Sequence, residues 1–148
     1  MTADEVITLL GLEPLPDEGG MFAQHYADGH STATYFLVRL GDFSALHRLS
    51  GGAEVYHFYA GAPLQMLLLH PDGQVDRPVL GCDLTVGQRP SLAVPPGVWQ
   101  GSRTTGEWSL VGATMSPGFK EEMFELGNRA TLVAAFRTAT EDIKLLTR

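Results

Sequence analysis

One cysteine, Cys82, is the whole thiol content of the 148 residues, so no intrachain disulfide can form. It stands in Leu80-Gly81-Cys82-Asp83-Leu84 beside an acid, which disfavours a reactive thiolate, and it reads as a half-buried structural residue. No apolar run approaches the ~20 residues that a membrane helix needs, so no membrane segment is expected. Cations are scarce as well: 10 Lys and Arg face 17 Asp and Glu, a net charge of -7. That balance repels phosphate backbones and anionic lipid, so nucleic acid is not an expected partner. The first residues, Met1-Thr2-Ala3-Asp4-Glu5, are acidic where a secretory signal is basic and then apolar, which makes the cytoplasm the expected compartment. Repeats, low-complexity stretches and a Gly-rich phosphate loop ending in Lys-Ser/Thr are all missing.

What is present is a globular balance of 44% hydrophobic and 18% charged residues. At roughly 100–200 residues per domain, this length suits one domain spanning residues 1–148. Thr2 and Glu5 have capping-box spacing, and Val6, Leu9 and Leu10 follow at helical intervals until Gly11, which predicts a short helix. Residues 12–20 hold two prolines and two glycines and read as a loop. From Phe22 to Thr114, β-branched and aromatic runs alternate with Gly, Pro and Asp. The predicted strands are residues 32–40, 44–49, 54–60, 64–70, 74–78, 91–94 and 108–114. Gly61-Ala62-Pro63 and Pro71-Asp72-Gly73 supply turn chemistry that predicts hairpins of the neighbouring runs. Residues 132–137 and 140–146 carry apolar positions three apart among helix formers and predict short closing helices. The fold class is therefore all-β with short terminal helices, its sheet edges handled by a barrel or a jelly roll.

Ionisable residues concentrate between Gly41 and Gly61. This segment resembles the first motif of the cupin superfamily, Gly-x5-His-x-His-x4-Glu-x6-Gly, with Gly41, His47, Glu54 and Gly61 in register and Leu49 at the second histidine position. Pro95-Pro96-Gly97-Val98-Trp99-Gln100 resembles the second motif, Pro-x-Gly-x2-His, with Gln100 in place of the histidine. Gly11–Leu15, Val94–Gln100 and Ser116-Pro117-Gly118-Phe119 extend the likeness to the DUF985 (Cupin_5) subgroup over about residues 5–126. The resemblance implies a double-stranded β-helix jelly-roll barrel with its core at about residues 22–119. It also implies a homodimer and a fold shared with sugar-nucleotide epimerases.

His47 and Glu54 form a workable acid–base pair, with His47 as base and Glu54 orienting it. A tyrosine acid is what the resemblance to metal-independent sugar epimerases implies. Tyr56 is the leading candidate, and Tyr35 and Tyr59 remain open. Tyr35, Phe43, Ser44, His57, Trp99 and Gln100 are the candidate ligand-binding side chains. The expected ligand is a small polar molecule such as a carbohydrate derivative. An anionic one would have to recruit Arg39, Arg48, Arg89 or Arg103. No cofactor is expected, because two metal-ligand positions are apolar or amide. A divalent metal, if bound, would draw on His47, Glu54 and His57, with Gln100 as a poor fourth ligand. His57 lies three residues after Glu54, so only a bulge would turn both to one face. The leading functional reading is a metal-independent sugar epimerase or isomerase. Its rivals are a metal-dependent dioxygenase or isomerase and a non-catalytic ligand-binding or sensing protein.

Overall fold

In the computed structural model, which describes residues Met1–Arg148, the predicted alternation becomes two antiparallel sheets. Helix α1 (Ala3–Leu10) is opened by Thr2, whose backbone N–H donates to Glu5 Oε2 at 2.6 Å while its hydroxyl accepts from Glu5 N at 3.2 Å. Gly11 then ends the helix at φ 63°, a conformation that suits glycine. The strands follow as β1 (Glu13–Pro14), β2 (Met21–Ala27), β3 (Thr32–Arg39), β4 (Ser44–Leu49), β5 (Glu54–Gly61), β6 (Leu64–Leu69), β7 (Val75–Asp76) and β8 (Val79–Leu80). Then come β9 (Ser91–Val94), β10 (Trp99–Thr104), β11 (Trp108–Met115) and β12 (Phe124–Leu126), before helices α2 (Arg129–Ala135) and α3 (Thr140–Leu145).

One sheet runs β1-β2-β3-β11-β5-β9, and the other β12-β4-β10-β6-β7 with β8 also on β6. Successive residues of a strand face opposite ways, and each sheet uses both faces. Phe36 and Val38 of β3, Val111 of β11, and Leu64, Met66 and Leu68 of β6 meet in the core between the sheets. Their neighbours point outward: Leu37 and Leu110 pack under Val6 of α1, while Leu67 and Leu69 pack under Leu132, Phe136, Ile143 and Leu146 of the C-terminal helices. The fold is thus layered as helix, sheet, sheet, helices. Each apolar side chain buried in this way contributes about 1.5–3 kcal/mol. Ile143→Ala, at a fully buried position, would cost about 2–5 kcal/mol.

The predicted strands 44–49 and 91–94 appear unchanged, and 32–40, 54–60, 64–70 and 108–114 shift by one residue at one end. The predicted strand 74–78 is instead the pair β7 and β8, parted at Arg77-Pro78, where proline has no N–H to donate. Strands β2 and β10 were not anticipated. α2 starts at Arg129 because Asn128 caps it, accepting from Thr131 N at 3.0 Å. Cys82, expected to be half-buried, is exposed in the loop after β8. No helix is long and apolar enough to cross a membrane.

Candidate functional site

A cavity of about 540 Å³ opens on the inner face of the first sheet, under the loop of residues 15–18 and beside residues 119–124. It occupies one end of three adjacent strands. Thr32, Thr34 and Phe36 of β3 line it, whereas Val38, farther along the same face, is core. Glu54 and Tyr56 of β5 line it, whereas Phe58 packs on the core. On β11 the order reverses with the strand direction, so Ala113 and Met115 line it and Val111 is core. The register brings these positions together: Met115 lies opposite both Thr32 and Glu54, and Ala113 opposite both Thr34 and Tyr56.

Glu54 is a half-buried acid of this surface. Its Oε1 is buried and has no hydrogen-bond partner, the only such side-chain atom in the protein. Burial pushes its carboxyl above the ordinary range; His47 pulls it down, and the nearby Glu18 pushes it up again. Tyr56, buried beside it, is raised well above the ordinary phenol value, first by burial and then by the Glu54 charge. Its O–H donates to Gln100 Oε1 at 2.6 Å, and Gln100 is 1% exposed.

His47 is 3% exposed and is oriented by a backbone carbonyl rather than by Glu54: Nδ1 is 2.8 Å from Ala45 O. Nε2 faces Glu18 Oε1 at 3.8 Å, ion-pair distance when the ring carries both protons, and the ring stacks on Phe124 with centroids 5.2 Å apart. Ser44 donates to the same Glu18 oxygen at 2.8 Å. Ser44 and His47 are three apart yet converge because β4 carries a bulge. Gln100 pairs with His47 and Ser102 with Ser44, so Ala45 and Leu46 together oppose Gly101.

Glu18 belongs to a loop that is held tightly. Gly20 stands at φ 76° with a Cβ's place only 2.6 Å from the Phe36 ring, so no other residue fits there without displacement. The Gly20 N–H donates to Asp42 Oδ2, and Ala45 N donates to Glu18 O. Arg148 completes the clamp, donating to Glu18 O at 2.7 Å and Asp42 Oδ1 at 2.8 Å with its guanidinium 4.1 Å from the Phe43 ring centre.

Of the residues singled out in the sequence, Glu54 and Tyr56 line the cavity, while His47, Ser44 and Gln100 stand directly behind it through Glu18 and Tyr56. Five others are not brought there. Tyr35 points to the opposite face of β3 and stacks on His25 at 4.0 Å, and the exposed Tyr59 lies edge-on to it. Phe43 packs under Arg148. His57 turns away from Glu54, its Nε2 2.9 Å from Thr114 Oγ1, because the bulge of β5 falls later, at Tyr59. Trp99 faces the C-terminal helices with Arg48 over its ring. The residues do not fit a bound metal: Gln100 Oε1 is taken by Tyr56, His57 is averted, and no three His, Cys, Asp or Glu side chains converge with ligand geometry. Sequence reasoning missed Glu18, Thr34 and Phe119. Strand alternation from Phe36 would have found Thr34, but nothing in the loop composition marks Glu18.

The Cupin superfamily (DUF985) family, Cupin_5, matches residues 4–127, and the chain belongs to it. The solved structure of protein SO0799 from Shewanella oneidensis is similar at 34% identity and TM-score 0.92, covering 100% of this chain and 98% of that one. A hypothetical protein from Leishmania major is similar at 27% identity and TM-score 0.91, with 99% of both chains covered. A dTDP sugar isomerase from Desulfovibrio desulfuricans G20 shares the fold at 18% identity and TM-score 0.58, over 79% of this chain and 80% of that one. No protein of curated function matches.

Proposed function

We propose that this cupin binds a small polar molecule in its cavity and catalyses metal-independent proton transfer of the isomerase or epimerase kind, its two sheets forming the double-stranded β-helix barrel. The observation that carries the reading is Glu54 Oε1, a buried oxygen without a partner on the cavity wall, two residues along the strand from Tyr56. A carboxylate lifted by burial is a stronger base than one in water, and a phenol lifted by burial keeps its proton.

In this scheme Glu54 takes a proton from the carbon next to a substrate carbonyl. The C–H electron pair becomes the enolate double bond, and the charge moves to the carbonyl oxygen. Tyr56 turns its single O–H from Gln100 Oε1 to that oxygen and hydrogen-bonds it there. In an aldose–ketose exchange Glu54 then returns the proton to the former carbonyl carbon while the neighbouring hydroxyl passes its own proton to the former carbonyl oxygen; in an epimerisation the proton comes back to the opposite face of the same carbon from water and Glu54 releases its own to solvent, so nothing is oxidised overall. His47 has a different part from the one expected of it: with Ser44 it fixes Glu18 at the cavity wall. The distant dTDP sugar isomerase supports the fold only.

The test is proton NMR of carbonyl sugars incubated with the protein in D2O. Loss of the signal from the carbon beside the carbonyl is expected, with no effect of chelator. Glu54→Gln should abolish the exchange. If Glu54→Gln exchanges at the parent's rate, the assignment is wrong. A ligand that binds but never exchanges would make the protein a binding module instead.

A further inference from the structure

We propose that the ligand of this cavity is an organic cation, a small amine whose ammonium group is held by Glu54 and Glu18. The inference rests on the cavity as the binding site and not on the proton-transfer chemistry.

The wall carries four carboxylates, Asp17, Glu18, Glu54 and Glu121, and no lysine or arginine. None of the four is ion-paired to Lys or Arg; the only ion-pair geometry among them is Glu18 with His47 at 3.8 Å. The arginines that an anionic ligand would recruit are occupied elsewhere. Arg39 pairs with Asp4 and Arg48 with Glu125, while Arg89 donates to Gln88 O. Arg103 lines a separate crevice on the second sheet. Arg148 reaches the loop from behind, through the Glu18 carbonyl. Lys120 lies between two lining residues in sequence but is exposed and outside the wall.

An anion entering here meets uncompensated like charge, whereas a cation supplies what the site lacks. The independent observation is Glu54 Oε1, shut off from solvent with no donor. Leaving a buried acceptor unpaired is unfavourable, and an ammonium N–H placed against it removes that penalty. Phe22 and Phe36 add aromatic surface against which its apolar body packs.

The experiment uses the full chain and matched probes. Glucosamine, glucose and glucuronate share one ring and differ in charge, and cyclohexylamine with cyclohexanol repeats the contrast without hydroxyls. Calorimetric titration and thermal shift should show each amine binding at least about tenfold tighter than its neutral analogue, the effect of one charge-assisted hydrogen bond, with glucuronate weakest. Glu54→Gln and Glu18→Gln should each cut that preference about tenfold. Glu121→Gln, at an exposed position that leaves folding untouched, should cut it a few-fold through the weaker, solvent-screened field. Equal binding of the neutral or anionic probes overturns the proposal. So does silence of the whole amine series, or stabilisation by zinc or manganese chloride alone that exceeds that of the amines. Amine preference without hydrogen exchange would uphold the cation while removing the isomerase reading. Exchange of neutral sugars without amine preference would do the reverse.

Discussion

Replacing Glu54 by glutamine should make the protein more stable, and increasingly so as pH rises. The carboxyl group is raised above its ordinary value of 4.5, chiefly by burial, so the folded protein holds this proton more tightly than the unfolded chain does. Stability tied to that proton is fully present below the ordinary value and is lost as pH rises through the raised folded value. In that window the parent's unfolding free energy falls by up to about 1.4 kcal/mol per pH unit from this group alone. Above it the parent carries a buried oxygen that lacks a donor, a penalty of about 1–3 kcal/mol. Glutamine keeps the shape, cannot ionise and adds two N–H donors. Its loss of attraction to His47 works the other way but is the lesser cause of the shift. The net expectation at neutral pH is a gain of about 1–2 kcal/mol, or roughly 2–8 °C in Tm for a chain of this size. Urea denaturation of both proteins from about pH 4 to about pH 8 measures it, since the lower limit lies near the ordinary carboxyl value. A constant difference across that range would refute the reasoning, as would a glutamine variant less stable than its parent at neutral pH.

Tyr56→Phe strands Gln100 Oε1 in a 1% exposed site, so it should destabilise by about 1–3 kcal/mol and slow hydrogen exchange about 10²–10⁴-fold, read by chemical denaturation and by NMR. Gly20→Ala forces a methyl group into the Phe36 ring at positive φ; a loss above about 1 kcal/mol is expected in the same denaturation assay. Arg148→Ala releases the loop bearing Glu18. Because the guanidinium is about 43% exposed, stability should fall by no more than about 1 kcal/mol, while probe affinity falls more and protease cuts faster near residues 15–20.

Much of the fold was legible because buried strands announce themselves. Residues 64–69 and 108–115 carry Leu, Val and Met and form strands where expected, but Gly61-Ala62-Pro63 carries the chain from one sheet to the other instead of closing a hairpin, so β6 pairs with β10 and not with β5. The strands that escaped notice lack that signal for physical reasons. β2 is exposed over its last four residues, so its sequence Met-Phe-Ala-Gln-His-Tyr-Ala need not alternate. β10 carries Gly101 because a Cβ there would press Leu46 at 3.1 Å, and Gly, Ser and Gln do not read as strand formers. The candidate site was legible in part. The motif register marked Glu54 and His47 but not where they point. Bulge placement decides that: one in β4 turns Ser44 and His47 to the same oxygen, and the one in β5 comes too late to turn His57. Trp99, a ligand-binding candidate beside the second-motif resemblance, is the first residue of a strand and faces the helices. Glu18 reaches the cavity through contacts 26 or more residues away in sequence, which no local pattern encodes.

The partition of β3, β5 and β11 into a cavity end and a core end has a consequence for how such a protein changes over time. Each strand keeps its anchoring residue, Val38, Phe58 or Val111, at one end and its ligand-facing residues at the other. Thr34 and Ala113, both half-buried, can therefore vary in size and polarity at less cost than buried Met115 or Thr32, whose hydroxyl holds the Phe119 N–H, while the anchors remain fixed. A lineage can drift from one metabolite to another without passing through an unfolded ancestor, and a laboratory library confined to Thr34 and Ala113 would explore new ligands from an intact scaffold.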